Sequence, residues 1–258
     1  MIYEAIRFGI ENDVATITLN RPDVMNALNA QMRAEIIHAV KASESDARVL
    51  VLTGEGRAFC SGQDLGDGAT AANMDLERVL RDEYVPMLNA IYDSRIPTIS
   101  AVNGAAAGAG ANLALAADVV IASEEAFFQQ AFTRIGLIPD AGGTYFLPRQ
   151  VGMARAMGAS LFADRIPAKQ ALDWGMIYET APAKEFVDHW KARALHLATG
   201  PTVAYRQLKK AMRVTYDNSL EAQLTLEARL QGRCGKTRDF QEGVLSFLEK
   251  RDPSYEGR

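Results

Sequence analysis

The sequence predicts an α/β fold, with strands and helices alternating first and a helical region following. Two observations carry this prediction. Val49–Thr53 and Thr98–Val102 are short, continuously apolar runs, with the length and composition of strands buried on both faces of a sheet. Helical periodicity appears between such runs, and from about Ala154 onward helix dominates. We therefore expect a core over residues 1–200 that carries the site, and a C-terminal helical region over residues 201–258.

The elements follow in order. Ile2–Ile10 and Val14–Leu19 are rich in β-formers and flank Glu11-Asn12-Asp13, a hairpin turn. Arg21-Pro22-Asp23 stops the second strand, and Asn29 is placed to cap a helix. On that helix Met32, Ile36, Ile37 and Val40 recur at helical spacing. Strand Val49–Thr53 is turned by Gly54-Glu55-Gly56. Residues 61–73 are rich in Gly, Ala and polar side chains and read as a mobile loop bordering a site. A helix is expected over 75–93, then strand Thr98–Val102, a small-residue helix over Gly108–Ala117 and strand Asp118–Ala122. Ile135–Thr144 is turn-rich. The clearest late helices are Lys184–Ala198, Pro201–Val214, Leu220–Arg233 and Thr237–Lys250.

Composition excludes several classes. The 28 Lys and Arg against 32 Asp and Glu give a net charge of −4, and no basic run suggests nucleic acid. Cys60 and Cys234 cannot staple a chain of 258 residues, so reduced thiols and a cytoplasmic location are expected. The first residues lack the basic-then-apolar pattern of a signal peptide. Apolar stretches break well before the roughly 18 residues of a membrane span. His38, His189 and His196 have no Cys or carboxylate at ligand spacing, so no metal site is expected. Cys60 has no His near it in sequence and reads as inert.

Two segments share a design, an apolar strand ending in small residues before a loop or helix. One is Val49–Thr53 leading to Ala58–Leu65; the other is Thr98–Val102 leading to Asn103–Leu113. Two readings satisfy this spacing. The small side chains serve tight helix-on-sheet packing, or they let a ligand approach backbone N–H groups that together hold an oxyanion. Gly108-Ala109-Gly110-Ala111-Asn112-Leu113 also brings a dinucleotide fingerprint to mind. Leu113 spoils that pattern, and about a hundred residues precede it where the fingerprint belongs near the chain start. No Gly-Lys-Ser/Thr phosphate loop is present.

Several motifs carry a resemblance. They are Asn20-Arg21-Pro22, Asn26-Ala27-Leu28-Asn29, Ala58–Leu65, Ala101-Val102-Asn103-Gly104, Gly136–Pro139 with Gly142-Gly143-Thr144, and the terminal Phe247–Pro253. In this order they resemble the signature blocks of the crotonase (enoyl-CoA hydratase/isomerase) superfamily over essentially the whole chain. The resemblance implies a spiral of ββα turns, an acyl-CoA thioester substrate, and a homotrimer or a hexamer of paired trimers. Coenzyme A would be part of the substrate, not a tightly bound cofactor. The oxyanion-hole amides would fall on Gln63 and Ala109, the latter where relatives often carry Gly. CoA contacts would fall on Met25, Ala27, Leu28, Ser61, Gly62, Gln63, Asp64 and Leu65, with Phe247 and Lys250 reaching in from a neighbouring subunit.

The catalytic positions depart from the hydratase pattern. The two glutamates that activate water would fall on Asn112 and Phe132, and neither is acidic. Asp140, 28 residues after Asn112, is the remaining carboxylate in a suggestive place. Taken alone it reads as a helix N-cap. Beside an enolate-stabilising hole it suits a proton shuttle, and burial among Phe132, Leu137 and Ile138 would raise its pKa. The blocks Gly108–Leu115, Ala131–Asp140 and Gly175-Met176-Ile177 resemble the 1,2-epoxyphenylacetyl-CoA isomerases of phenylacetate catabolism, which rearrange a ring epoxide to an oxepin-CoA. That resemblance implies Asp140 as the proton carrier and Asn112 as a group orienting substrate or epoxide oxygen, with Phe132, Leu137 and Gly108 shaping the pocket. A hydratase (lyase) and a non-catalytic acyl-CoA binder are the other readings of the same residues.

Overall fold

In the computed structural model, which describes residues 2–66 and 74–258, the opening strands β1 (Ile6–Glu11) and β2 (Val14–Leu19) pair as an antiparallel hairpin. Asn12 and Asp13 both adopt positive φ, as the tight two-residue turn requires. The predicted first strand is shorter than expected, because residues 2–5 turn away to be held by Glu35. That buried carboxylate accepts the N–H groups of Glu4, Ala5 and Ile6 at 2.7, 2.8 and 3.1 Å. Helix α1 (Ala30–Asp46) starts at Asn29, whose side chain accepts from the Met32 N–H at 2.9 Å.

The chain then winds as a spiral in which each turn gives one strand to each of two sheets. Strands β3 (Val49–Gly54), β5 (Thr98–Val102) and β7 (Val119–Ser123) join the hairpin in a sheet of order β1-β2-β3-β5-β7-β10, where β10 is Glu179–Ala181. All neighbours after β1 run parallel. Val49 to Leu52 and all of β5 are buried, which is why these runs read as continuously apolar. The second sheet is built from the short strands β4 (Ala58–Cys60), β6 (Ala105–Ala107), β8 (Phe127–Gln129) and β9 (Ile166–Pro167). None of these is legible in the sequence, being too short to show a period.

Between the sheets' turns lie helices. The predicted helix over 75–93 is interrupted. It comprises α2 (Leu76–Val79), a π-helical turn over Leu80–Tyr84, and α3 (Val85–Tyr92). Pro86 explains the break: its ring collides with the carbonyl four residues back in a regular helix, and it has no N–H to give. Asp75, exposed to solvent, caps α2 by accepting from the Arg78 N–H at 3.0 Å. The rest of the 61–73 loop, residues 67–73 with Asp67, lies outside the described residues.

Helix α4 (Ala109–Leu115) is buried throughout and lies hard against β4. A methyl group on Gly110 would sit 2.3 Å from the Cys60 carbonyl oxygen and 2.7 Å from the Cys60 side chain. Gly110→Ala should therefore destabilise the fold by about 1–3 kcal/mol, read as a lowered urea midpoint at unchanged slope.

After β8 come α5 (Gly143–Val151), α6 (Met153–Phe162), α7 (Ala168–Asp173) and α8 (Phe186–Ala198). The C-terminal helices are α9 (Thr202–Arg213), α10 (Leu220–Cys234) and α11 (Arg238–Glu249). Asp118, just before β7, ties α9 to the core. It accepts from Lys209 at 2.6 Å and Arg213 at 2.8 Å as well as from the Thr98 N–H and hydroxyl. Among the described residues no helix is long and apolar enough to cross a membrane.

Candidate active site

The site forms where the second sheet ends. Strands β4 and β6 are parallel neighbours, so the segments after them, Ser61–Leu65 and Gly108–Ala109, run side by side. Their closeness is direct: a methyl group on Gly62 would lie 3.3 Å from the Ala109 nitrogen. Both segments line one cavity of about 320 Å³, with Ser61, Gly62, Gln63, Gly108 and Ala109 on this side. Ala109 is the first residue of α4, where a helix leaves its N–H without an internal acceptor. Among the described residues neither the Gln63 nor the Ala109 N–H has a hydrogen-bond partner. Two unpaired donors on one small cavity are what an oxyanion hole needs.

Across the cavity lie Phe132 and Leu137, on and just after the 3-10 turn Ala131–Ile135, and then Asp140. Leu76, Val79, Leu80 and Tyr84 close another side. The pocket is thus apolar, with a few polar groups converging. Ile138, expected to help bury Asp140, is instead 76 % exposed and does not line the cavity. Burial comes from the other walls.

Asp140 is held by its backbone and left free at its carboxyl. Its carbonyl accepts from the Gly143 N–H at 2.8 Å across a tight turn in which Ala141 and Gly142 take φ of 47° and 81°. It also accepts from the Asn112 side-chain amide at 2.8 Å. The Oδ1 atom is buried and, among the described residues, has no hydrogen-bond partner. The N-cap of α5 is Gly142, with no side-chain cap, so the N-cap reading of Asp140 does not hold. Burial pushes the carboxyl up from 3.8 to about 6. It is the one carboxylate among the described lining residues.

Asn112 has a different place from the one expected. It is fully buried and does not line the cavity. Its Nδ2 donates to the Asp140 carbonyl and its Oδ1 accepts from Gln130 at 2.8 Å. A carbonyl can only accept, so the amide's orientation is set. Asn112 thus lies behind Asp140, holding its backbone carbonyl, and not on the cavity wall.

The expected CoA contacts divide. Ser61, Gly62, Gln63 and Leu65 reach the cavity. Asp64 does not, because its carboxylate pairs with Arg21 at 2.7 Å and accepts the Gly66 N–H at 3.0 Å. Leu28 is fully buried, and its N–H and carbonyl are taken by Gly62 and Asp64. Ala27 is buried and its carbonyl accepts from Arg21 at 2.6 Å, Met25 is partly exposed, and neither lines the cavity. Phe247 and Lys250 lie exposed at the end of α11, away from this chain's own cavity. Cys60 is fully buried, and its thiol is pushed up to about 12 by that burial, so it is neutral and inert.

Sequence reasoning missed Tyr84, Arg33 and Glu83. Tyr84 lines the cavity and donates its hydroxyl to the Gln63 Oε1 at 2.6 Å. The one available signal was a charge, Arg33, next to Met32 on the apolar stripe of α1.

The chain resembles known proteins over nearly its whole length. The enoyl-CoA hydratase/isomerase family profile matches residues 9–258. The chain is 61 % identical over 258 residues to a probable enoyl-CoA hydratase of Rhodobacter capsulatus, covering all of both. It is 43 % identical over 260 residues to the 1,2-epoxyphenylacetyl-CoA isomerase of Escherichia coli, covering 99 % of each. A crystal structure of a putative enoyl-CoA hydratase/isomerase from Mycobacterium abscessus superimposes with a TM-score of 0.93 at 36 % identity, over 98 % of this chain and 100 % of the other.

Proposed function

Because the chain belongs to the enoyl-CoA hydratase/isomerase family, with the crotonase fold, we propose that it is an acyl-CoA isomerase acting on a ring-bearing thioester, 1,2-epoxyphenylacetyl-CoA being the best candidate. The observation that carries this reading is the unpaired, buried carboxylate of Asp140, alone of its kind among the described residues facing the two free N–H groups. In the proposed reaction the ionised Asp140 takes a proton from the carbon next to the thioester. The electron pair moves into the enolate, whose oxygen sits between the Gln63 and Ala109 N–H groups. As the ring C–C bond beneath the epoxide oxygen opens to the oxepin, with both C–O bonds kept, the enolate electron pair shifts along the conjugated chain and takes the proton back from Asp140 at the ring carbon γ to the thioester carbonyl, leaving Asp140 ionised again. No atom is gained or lost, and no activated water is needed. Phe132, at a position where water activation would require an acid, presents a ring to a ring instead.

A hydratase is the second reading, favoured by the name of the relative at 61 % identity. The two are separated by incubating the protein with 1,2-epoxyphenylacetyl-CoA and, in parallel, crotonyl-CoA, followed by mass spectrometry. An isomer of unchanged mass from the epoxide, with no added water on crotonyl-CoA, is expected. Hydration of crotonyl-CoA without isomerisation would replace the isomerase reading with the hydratase one.

CoA itself enters as part of the substrate in this proposal, its chain leaving the cavity past Ser61 and Leu65. The helices α9–α11 expose Leu208, Met212, Leu224, Phe247 and Leu248, a quantity of apolar surface that favours covering by further copies of this chain. We assign residues 201–258 to assembly as a trimer or hexamer and to capping of a neighbour's CoA by Phe247 and Lys250. Mass photometry showing a monomer would remove that assignment.

A further inference from the structure

The side chain of Gln63 is gripped at both ends. Its Oε1 accepts from Arg33 Nη1 at 3.0 Å and from the Tyr84 hydroxyl at 2.6 Å, while its Nε2 donates to the Asp64 carbonyl at 2.8 Å. Arginine only donates, so the atom facing it must be the oxygen. Arg33 is itself fixed: its side chain is 4 % exposed, Nη1 also reaches the Leu28 carbonyl at 2.6 Å, and Nε and Nη2 bond the Glu83 carboxylate at 3.1 and 2.5 Å. Its guanidinium also lies 4.8 Å from the centre of the Tyr84 ring. Glu83 and Tyr84 both come from the π-helical turn, a feature often found at functional sites.

A largely buried polar network whose members hold one another favours a single geometry. Its centre is the residue whose backbone N–H, among the described residues, has no partner. We propose that Arg33, Glu83 and Tyr84 are positioning residues that hold Gln63 by its side-chain amide, so that its backbone N–H points at the thioester oxygen. The inference rests on the oxyanion-hole reading above and extends it to residues on α1 and the π-helical turn. It also gives Gln63 a task that Ala or Ser, with the same N–H, would not perform. A donor free to swing by an ångström loses much of its effect on developing charge.

The test uses the full chain and cinnamoyl-CoA, a conjugated thioester whose absorbance moves to longer wavelength when its carbonyl is polarised. The parent protein is expected to shift the bound absorbance. Tyr84→Phe and Gln63→Met are expected to lose most of that shift and about tenfold in kcat, with KM changed less than about threefold. The double variant should be no worse than Gln63→Met alone, since both act through one oxygen. Thermal melts within a few degrees of the parent separate positioning from unfolding, and Tyr84→Phe, which keeps the ring, is the safer variant. A parent-like shift and kcat in both single variants overturns the proposal while leaving the hole intact. An unshifted spectrum in the parent overturns the hole and the positioning with it. Asp140→Asn should keep the shift, so a failure of the base assignment shows separately.

Discussion

Replacing Asp140 with Asn should lower kcat for isomerisation by roughly 10²–10⁴-fold while acyl-CoA binding stays within a few-fold of the parent. The amide keeps the shape and cannot take a proton. Because the carboxyl titrates at about 6 and must be ionised to act, kcat in the parent should fall as pH drops through that value. Stability should move the other way. A group lifted from 3.8 to about 6 by burial binds its proton more readily when folded than when unfolded. The folded state is therefore favoured most below 3.8, and that contribution is lost as pH rises through 6. Asp140→Asn should accordingly be more stable than the parent at pH 8, by about 1–2 kcal/mol after allowing for partial exposure, and nearly equal to it at pH 4. Denaturant midpoints at the two pH values check this. Retained activity, or a variant less stable at pH 8, would remove Asp140 as a buried base.

Ala109→Pro should cost about 10²–10³-fold in kcat, the scale of one lost oxyanion donor. The position is well suited to the change. Ala109 opens α4, where a proline forfeits no helical hydrogen bond. The residue before it is Gly108, at φ 53° and ψ −129°, with no Cβ to meet the proline ring. Ala109→Gly keeps the N–H and should keep activity within a few-fold. A folded Ala109→Pro protein with parental kcat would show that this donor does not face the developing charge.

Particular elements show what was legible in the chain. The hairpin turn at Asn12-Asp13, the cap at Asn29 and the strands β3 and β5 announced themselves, because turn chemistry, capping and burial on both faces each select residue types locally. The two small-residue segments were visible as a pair, and so was the lone carboxylate at Asp140. The strands of the second sheet were not, since two or three residues carry no period. The break in the helix over 75–93 is one that Pro86 could have signalled.

The roles of single side chains were the least legible. Asn112, read as touching substrate, turns its amide to the Asp140 carbonyl and Gln130. Asp64, expected among the CoA contacts, pairs its carboxylate with Arg21. Of Arg33, Glu83 and Tyr84 only Arg33 carried a signal, since α1 and the π-helical turn meet at Gln63 only in the folded chain. By itself the sequence determined the fold class, the family and the presence of one candidate base without the usual pair of acids. Those are properties of residue type and order along the chain. Only the tertiary structure decided which N–H groups are left unpaired, where the Asp140 carboxyl points and what locks Gln63. Hydrogen-bond direction and burial belong to atoms meeting across strands and helices far apart in sequence, and local pattern does not specify them.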